Sequence, residues 1–249
     1  MIFWMVILCI LFGYVIGCIN PSYIIGRIKG IDIRKTGSGN AGASNALITM
    51  GKKIAIFSGL FDIAKATAAY LLAPLIFRDV VLASEIAGVA CILGHMFPFY
   101  MKFKGGKGLA CLGGVLIAID WRLFFAMLAV EILLCIWIDY ICVVPITASI
   151  LIPIFYGLFG TNGVAPWPLK HANNGWLGAG VLFIATAAIL YRHIQNIHRI
   201  TYGGEMPFSF MWSKDKEGEK ARVQENTRRH EEKVAAKKAA RAQAKKKHS

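Results

Sequence analysis

Residues Arg34 to Asn45 read RKTGSGNAGASN, a run of glycines, short polar side chains and two cations between apolar stretches. Glycines allow positive φ and close backbone approach, so successive N–H groups can line a concave anion site. Ser38, Gly39, Asn40, Ser44 and Asn45 add donors, and Arg34 with Lys35 adds positive charge. Gly37 to Gly42 also fits GxGxxG, but a dinucleotide fold needs that pattern between a strand and a helix, with an acidic residue about twenty positions later. Here it joins two apolar runs, so that reading fails and phosphate binding by the loop remains. The bland alternative is a tight turn between helices, which this segment taken alone would favour.

Two further segments have the same character. Gly94 to Gly108 ends in Gly105-Gly106-Lys107-Gly108, without the spacing or following Ser/Thr of a P-loop. Lys107 between glycines can still reach a phosphate as a mobile point charge. Lys104 is a lesser candidate, since Lys102 and Lys104 also suit snorkelling at an interface. His95 reads as a packing histidine. In Arg192 to Glu205, His193 and Asn196 share a helix face, with Arg199 a turn further on. A histidine that moves a proton, an amide and a guanidinium fit phosphate chemistry; an interfacial helix end with snorkelling cations is the alternative.

These segments must be positioned by an apolar scaffold. With 56% hydrophobic residues and a mean hydropathy of +0.54, the chain is no ordinary soluble domain. The apolar runs predict an all-α integral membrane protein of about seven transmembrane helices, near 2–26, 54–77, 80–101, 108–119, 123–139, 141–159 and 177–191. The loops at 27–53 and 102–107 hold six and three Lys/Arg; the alternate connections hold one each (Arg78, Arg122, Lys170). The positive-inside rule then puts the N-terminus outside, and the three motif loops and the C-terminus on the cytoplasmic face. No basic residue precedes Arg27, so a cleaved signal peptide is not expected. Residues 160–176 form an outer loop, with Trp167 and Trp176 as interface anchors.

Residues 1–206 read as the membrane domain and 207–249 as a basic cytoplasmic tail, a helix or partly disordered arm. Half of the net charge of +14 lies beyond Trp212. The tail lacks the interleaved aromatics of a nucleic-acid binder and suits anionic headgroups better. The six cysteines show no CxxC or Cys/His ligand spacing, which favours buried hydrophobes over disulfides or zinc. Asp62 and Lys65, three apart, can neutralise each other, and Glu85, Glu131 and Asp139 read as helix-pairing groups. Gly13 and Gly17 form a GxxxG packing face.

In order and spacing the three polar segments resemble the bacterial acyl-phosphate:glycerol-3-phosphate acyltransferases, the PlsY family, over roughly residues 10–206. Asp32-Ile33-Arg34, Gly37 to Asn40, Gly42, Ala43 and Asn45 look like its first motif. Gly94-His95, Phe97-Pro98, Phe103 and Gly105 to Gly108 look like the second. Arg192-His193, Asn196-Ile197, Arg199, Gly203 and Glu205 look like the third. The chain departs from the pattern at Ser44 (usually Thr), Cys111 (usually Thr) and Ile48, where the family usually carries Arg.

The resemblance implies a multi-pass enzyme of the bacterial inner membrane. It would transfer a fatty acyl group from acyl phosphate to the sn-1 hydroxyl of glycerol 3-phosphate, without cofactor or metal. It implies Ser38, His193 and Asn196 as catalytic residues. Arg34, Gly39, Asn40, Ser44, Asn45, Lys104, Gly105 to Gly108 and Arg199 would bind phosphate, and Glu205 would be structural. The alternatives are a diverged relative using another polyol phosphate, or a membrane transporter or binding protein for small organic phosphates. A transporter should carry polar residues along a midplane path, often at broken helices, where this chain offers only Asp62/Lys65 and Glu131.

Overall fold

The computed structural model describes residues 1–160, 175–211 and 213–247. Most of the expected outer loop, including Lys170 and the anchor Trp167, lies outside the described residues. Those described form ten α-helices and two short 3-10 turns, with no strand among them. Two compact units divide the chain: Met1–Val130 with Pro145–Arg192, and Glu131–Val144 with His193–Ser249.

The first unit begins with α1 (Ile2–Cys18) and α2 (Pro21–Ile28), which meet at a 44° bend. The break follows from the sequence. Pro21 has no N–H to give Gly17, and Asn20 caps α2 by accepting from the Tyr23 amide at 2.9 Å. Three carbonyls are thereby stranded inside an apolar bundle, where each must find a donor. Lys65 Nζ donates to Gly17 O at 3.0 Å and to Ile19 O at 2.6 Å, and the Tyr100 hydroxyl donates to Cys18 O at 2.6 Å.

Helices α3 (Ala43–Met50), α4 (Lys52–Ile76), α5 (Ala83–Met96) and α6 (Leu109–Ile119) follow. Glycines set their spacing. A Cβ at Gly13, Gly17 or Gly94 would strike the facing backbone of Ala87, Cys91 or Tyr14, so α1 and α5 pack main chain to main chain. Gly114 does the same for α6 against Ile63 of α4. The start of α7 (Trp121–Ile138), most of α8 (Val143–Phe159) and the start of α9 (Gly175–Thr201) complete the unit. Ala66, Tyr70, Ile92, Val115, Leu116, Ile152, Tyr156 and Ile189 lie in its core. Glu85, fully buried, receives the hydroxyls of Tyr70 and Tyr156. Trp176 packs on Gly157, whose missing side chain leaves room for the indole.

Helices occupy all seven expected apolar runs. Among the described residues only α4, α7 and α9 have the length and hydropathy to cross a bilayer alone, or four spans if the bent α1–α2 pair counts as one, so fewer than the expected seven runs qualify as full spans by themselves. The 11-residue α6 and 17-residue α8 are shorter apolar helices.

The second unit contains the ends of α7 and α9, a 3-10 turn at Phe208–Met211, and α10 (Lys216–Lys247). Asp139 ends α7 with φ 63°, and its carboxylate takes both the amide and the hydroxyl of Ser209, at 2.6 and 2.8 Å. The tail is thus α-helical over Lys216–Lys247. It carries ion pairs along its own surface, such as Glu225 with Arg228 and Arg229, and no apolar stripe. Asn226 donates to Gly203 O at 3.1 Å and His230 stacks on Tyr202 at 4.1 Å, fastening α10 to the turn after α9.

Candidate active site

The first polar loop is built around Asn45, which is fully buried. Its Nδ2 donates to Ile33 O (2.8 Å) and Thr36 O (2.9 Å), and its Oδ1 accepts from the Ser38 amide at 2.9 Å. Asn45, expected among the phosphate donors, therefore spends its side chain as the staple of the loop. Gly37 (φ 57°) and Gly39 (φ 71°) take the left-handed conformations the tight path requires. Ser38, Gly39 and Ser44 are left exposed, and the side-chain oxygen of the half-buried Asn40 is buried without a partner.

Arg34 likewise has partners within the protein. Asp32 receives its Nε and Nη2, each at 2.9 Å, while Nη1 donates to Met101 O at 2.9 Å and the guanidinium lies 4.9 Å from the Tyr23 ring centre. The guanidinium beside Asp32 lowers that carboxyl to about 2. Arg34 thus ties the first loop to the second. Asn20 at the helix break and Tyr14 within α1 add further ties: Asn20 Nδ2 donates to Ala41 O at 2.9 Å, and the Tyr14 hydroxyl to Phe97 O at 2.7 Å.

In the second loop Lys102 (φ 55°) and Phe103 (φ 58°) are both left-handed, a costly conformation for side-chain-bearing residues. Lys102 and Lys104 are exposed and Lys107 is half-buried. The amides of Gly105 and Gly106, which the resemblance implies as phosphate-binding, donate to Met96 O (3.0 Å) and His95 O (3.1 Å), the stranded carbonyls at the end of α5. Their part is to let the chain approach α5, because a Cβ on either would collide with His95. Gly108 (φ 91°) opens α6, whose first-turn amides face back toward the loop.

Arg192 is a residue that spacing alone did not single out. Its Nη2 donates to Gly105 O at 2.9 Å, its guanidinium lies 6.0 Å from the Phe97 ring centre, and its buried Nε has no protein partner. The resemblance placed it in the third motif beside His193 without giving it a role.

Beneath the second loop lies a charged cluster. Asp62 Oδ1 is 2.6 Å from Lys65 Nζ and 3.3 Å from His95 Nδ1, within ion-pair reach of both. Lys65 Nζ reaches His95 Nδ1 at 3.2 Å. All three residues are at most 5% exposed. Asp62, His95 and Cys111 also bring potential metal-ligand atoms within 4.8 Å of one another. Lys65 already supplies the positive charge such a set would attract, so the geometry is that of an internal ion cluster.

In the second unit the Glu205 carboxylate joins Asn196 (Nδ2 to Oε1, 2.7 Å) and Arg199 (Nε to Oε2, 2.9 Å). His193 and Asn196 are buried, at 2% and 4% exposure, on the same face of α9. Arg199 is thus held by a carboxylate, leaving its outer nitrogens for any anion.

Comparison with known proteins agrees with this architecture. The glycerol-3-phosphate acyltransferase family profile matches residues 7–203, and the chain belongs to that family. It is similar to glycerol-3-phosphate acyltransferase 1 of Oceanobacillus iheyensis, 38% identical over 82% of this chain and 95% of that one. The Aquifex aeolicus enzyme is 34% identical over 80% and 97%. The crystal structure of PlsY, an integral membrane glycerol 3-phosphate acyltransferase in its glycerol 3-phosphate form, aligns with TM-score 0.69 and 30% identity over 83% of this chain and 96% of that one. Its lysophosphatidic acid form aligns with TM-score 0.66. The protein is therefore a multi-pass, all-helical membrane acyltransferase acting on glycerol 3-phosphate.

Proposed function

We propose that the acyl donor is an acyl phosphate and that the acyl group goes to the sn-1 hydroxyl of glycerol 3-phosphate. The observation that carries this reading is the Arg192 guanidinium, seated on the Gly105 carbonyl with its buried Nε unmatched, beside Lys107 and the start of α6. A guanidinium, a lysine and helix amides around a glycine loop suit a phosphate. The surrounding apolar helices suit an acyl tail.

The acceptor hydroxyl attacks the acyl carbonyl carbon, the bond from that carbon to the phosphate oxygen breaks, and inorganic phosphate leaves. The hydroxyl proton passes to His193 or to a substrate phosphate oxygen. A mixed anhydride is already activated, so the protein contributes orientation and charge stabilisation. Lys107, Arg192 and Lys104 would face phosphate; Ser38, Asn40 and Ser44 would form the acyl-phosphate side of the first loop. His193 and Asn196 would orient the attacking oxygen, with Glu205 fixing Asn196 and Arg199. Direct transfer is favoured over an acyl-Ser38 intermediate because no base stands beside Ser38 in its own loop.

The orientation that fits is N-terminus outside and C-terminus inside, in the bacterial cell membrane. The basic α10 would lie against anionic headgroups at about 1 kcal/mol per cation near the surface. A transporter would also place polar residues at a broken helix, as Lys65 is here, but Lys65 is spent on the Gly17 and Ile19 carbonyls and Asp62 on Lys65 and His95, so neither charge is turned to a substrate.

The test is phosphate release by protein in lipid, given long-chain acyl phosphate with and without glycerol 3-phosphate, with acyl-CoA as control. Acceptor-dependent release, lost in Lys107→Ala and Arg192→Ala, is expected. Acceptor-dependent release of free CoA thiol from acyl-CoA, with no phosphate release from acyl phosphate, would overturn the donor assignment.

A further inference from the structure

The second glycine loop rests on the imidazole of His95. A Cβ at Gly106 would run into Nε2, with Cε1 and Cδ2 next nearest, so the ring edge fills the space beneath that glycine. The Gly106 amide also donates to the His95 carbonyl at 3.1 Å. On its other side the ring meets Lys65 Nζ and Asp62 Oδ1 through Nδ1, at 3.2 and 3.3 Å. Lys65 in turn donates to the Gly17 and Ile19 carbonyls of the broken helix. A line of contacts thus runs from the α1–α2 break, through Lys65, Asp62 and the His95 ring, to the Gly106 backbone beside Lys107, polar as far as the ring and packed beyond it.

Burying two charged groups and an imidazole among apolar helices is costly, and packing alone would be served as well by leucine or phenylalanine. What the charged cluster provides is directional: an imidazole held from Nδ1 is fixed in rotation about its ring axis, so its opposite edge is a defined surface.

We propose that His95, oriented by Asp62 and Lys65, is a positioning residue. Its ring is the floor that sets the height of the Gly105–Lys107 backbone and hence where the Lys107 ammonium meets a substrate phosphate. The proposal rests on the reading of this loop as a phosphate site, but its packing half stands independently of any activity.

The experiment compares wild type, Gly106→Ala, His95→Asn and the double variant, all full-length and in detergent or lipid. His95→Asn keeps a polar atom near the Nδ1 position and removes the ring edge, so the ion cluster retains its partner. Gly106→Ala alone should lower the melting temperature and reduce kcat/KM by roughly 100-fold, the scale of an ångström-level misplacement. His95→Asn alone should melt near the wild type while raising the KM for glycerol 3-phosphate or acyl phosphate, each titrated separately, by about tenfold. The double variant should recover melting temperature and kcat/KM relative to Gly106→Ala, because the new methyl enters vacated space.

Absence of suppression in the melting temperature would overturn the floor, whether or not the wild type turns over substrate. An unchanged KM for both substrates in His95→Asn, with active wild type, would overturn its link to phosphate. Failure of wild type to release phosphate at all would instead count against the acyl-phosphate reading, while the melting comparison still decides the floor.

Discussion

Lys65 and Pro21 answer each other through one carbonyl. Pro21 cannot donate to Gly17, and Lys65, 48 residues from Gly17, does so at 3.0 Å while its ammonium stays 2.6 Å from Asp62. The same ammonium takes the Ile19 carbonyl, stranded because the Tyr23 amide turns to Asn20. A break that would be unaffordable in hydrocarbon becomes a stable corner from which the polar loops are hung. Lys65→Met should therefore destabilise the protein by about 3–5 kcal/mol, the usual cost of removing one partner from a buried ion pair. Asp62→Asn combined with Lys65→Met should recover part of that loss but not all, since the carbonyls stay unmet. Thermal unfolding in detergent measures both. Equal stability of Lys65→Met and wild type would show that the break does not need the ammonium.

Asn45 and Ser38 separate building the first loop from using it. Asn45→Ala strands two carbonyls and the Ser38 amide, and should cost about 1–3 kcal/mol of stability together with most of the activity. Ser38→Ala removes an exposed hydroxyl, so stability should stay within about 0.5 kcal/mol while turnover falls. Melting and steady-state kinetics on the two variants make the comparison. A Ser38→Ala protein with full turnover would remove the hydroxyl from the mechanism.

The Asp32–Arg34 clamp gives a pH prediction with a definite sign. The Asp32 carboxyl is lowered from 3.8 to about 2, chiefly by hydrogen bonds from Arg34. A depressed carboxyl contributes stability that is complete above its ordinary value and lost as pH falls through the folded one. The tie from Arg34 to Met101 should thus hold unchanged through the neutral range and weaken only between about pH 4 and 2. Hydrogen exchange at residues 32–36, corrected for intrinsic rates, should show protection lost in that window for wild type. In Asp32→Asn the protection should be low at every pH. Protection of wild type that declines already near pH 6 would mean another group controls the loop.

The sequence made the scaffold and the loops visible for different reasons. Apolar runs announce helices because hydrocarbon tolerates little else, and glycine with asparagine and lysine announces places where it must end. The Asp62–Lys65 neutralisation, read from a spacing of three, is present at 2.6 Å. What local spacing could not carry was its purpose, since that depends on carbonyls stranded at Gly17 and Ile19. His95 does pack, as its surroundings suggested, but its polar partners lie on α4 and its packing partner is Gly106. Arg192 went unassigned for the same reason, because an unmatched guanidinium nitrogen is a property of the folded neighbourhood. Asn45 was legible as a polar residue of a polar loop, and the direction of its hydrogen bonds was not.

Ile48 tests how the chain accommodates its most consequential departure from the family pattern. It is 70% exposed on α3, one helical turn beyond the exposed Ser44, so the two side chains share a face. An arginine there would meet no packed neighbour and should change stability by less than about 0.5 kcal/mol. If Ser44 faces a phosphate, Ile48→Arg adds a charge-assisted donor beside it, worth about 1.5–3 kcal/mol when well aligned. The expected result is a KM for one phosphate substrate lowered by roughly tenfold or more, with kcat little changed. Titrating acyl phosphate and glycerol 3-phosphate separately identifies which substrate that face of α3 meets. If neither KM moves, the exposed face of α3 is not part of the phosphate site, and Ser44 leaves the set of candidate ligands with it.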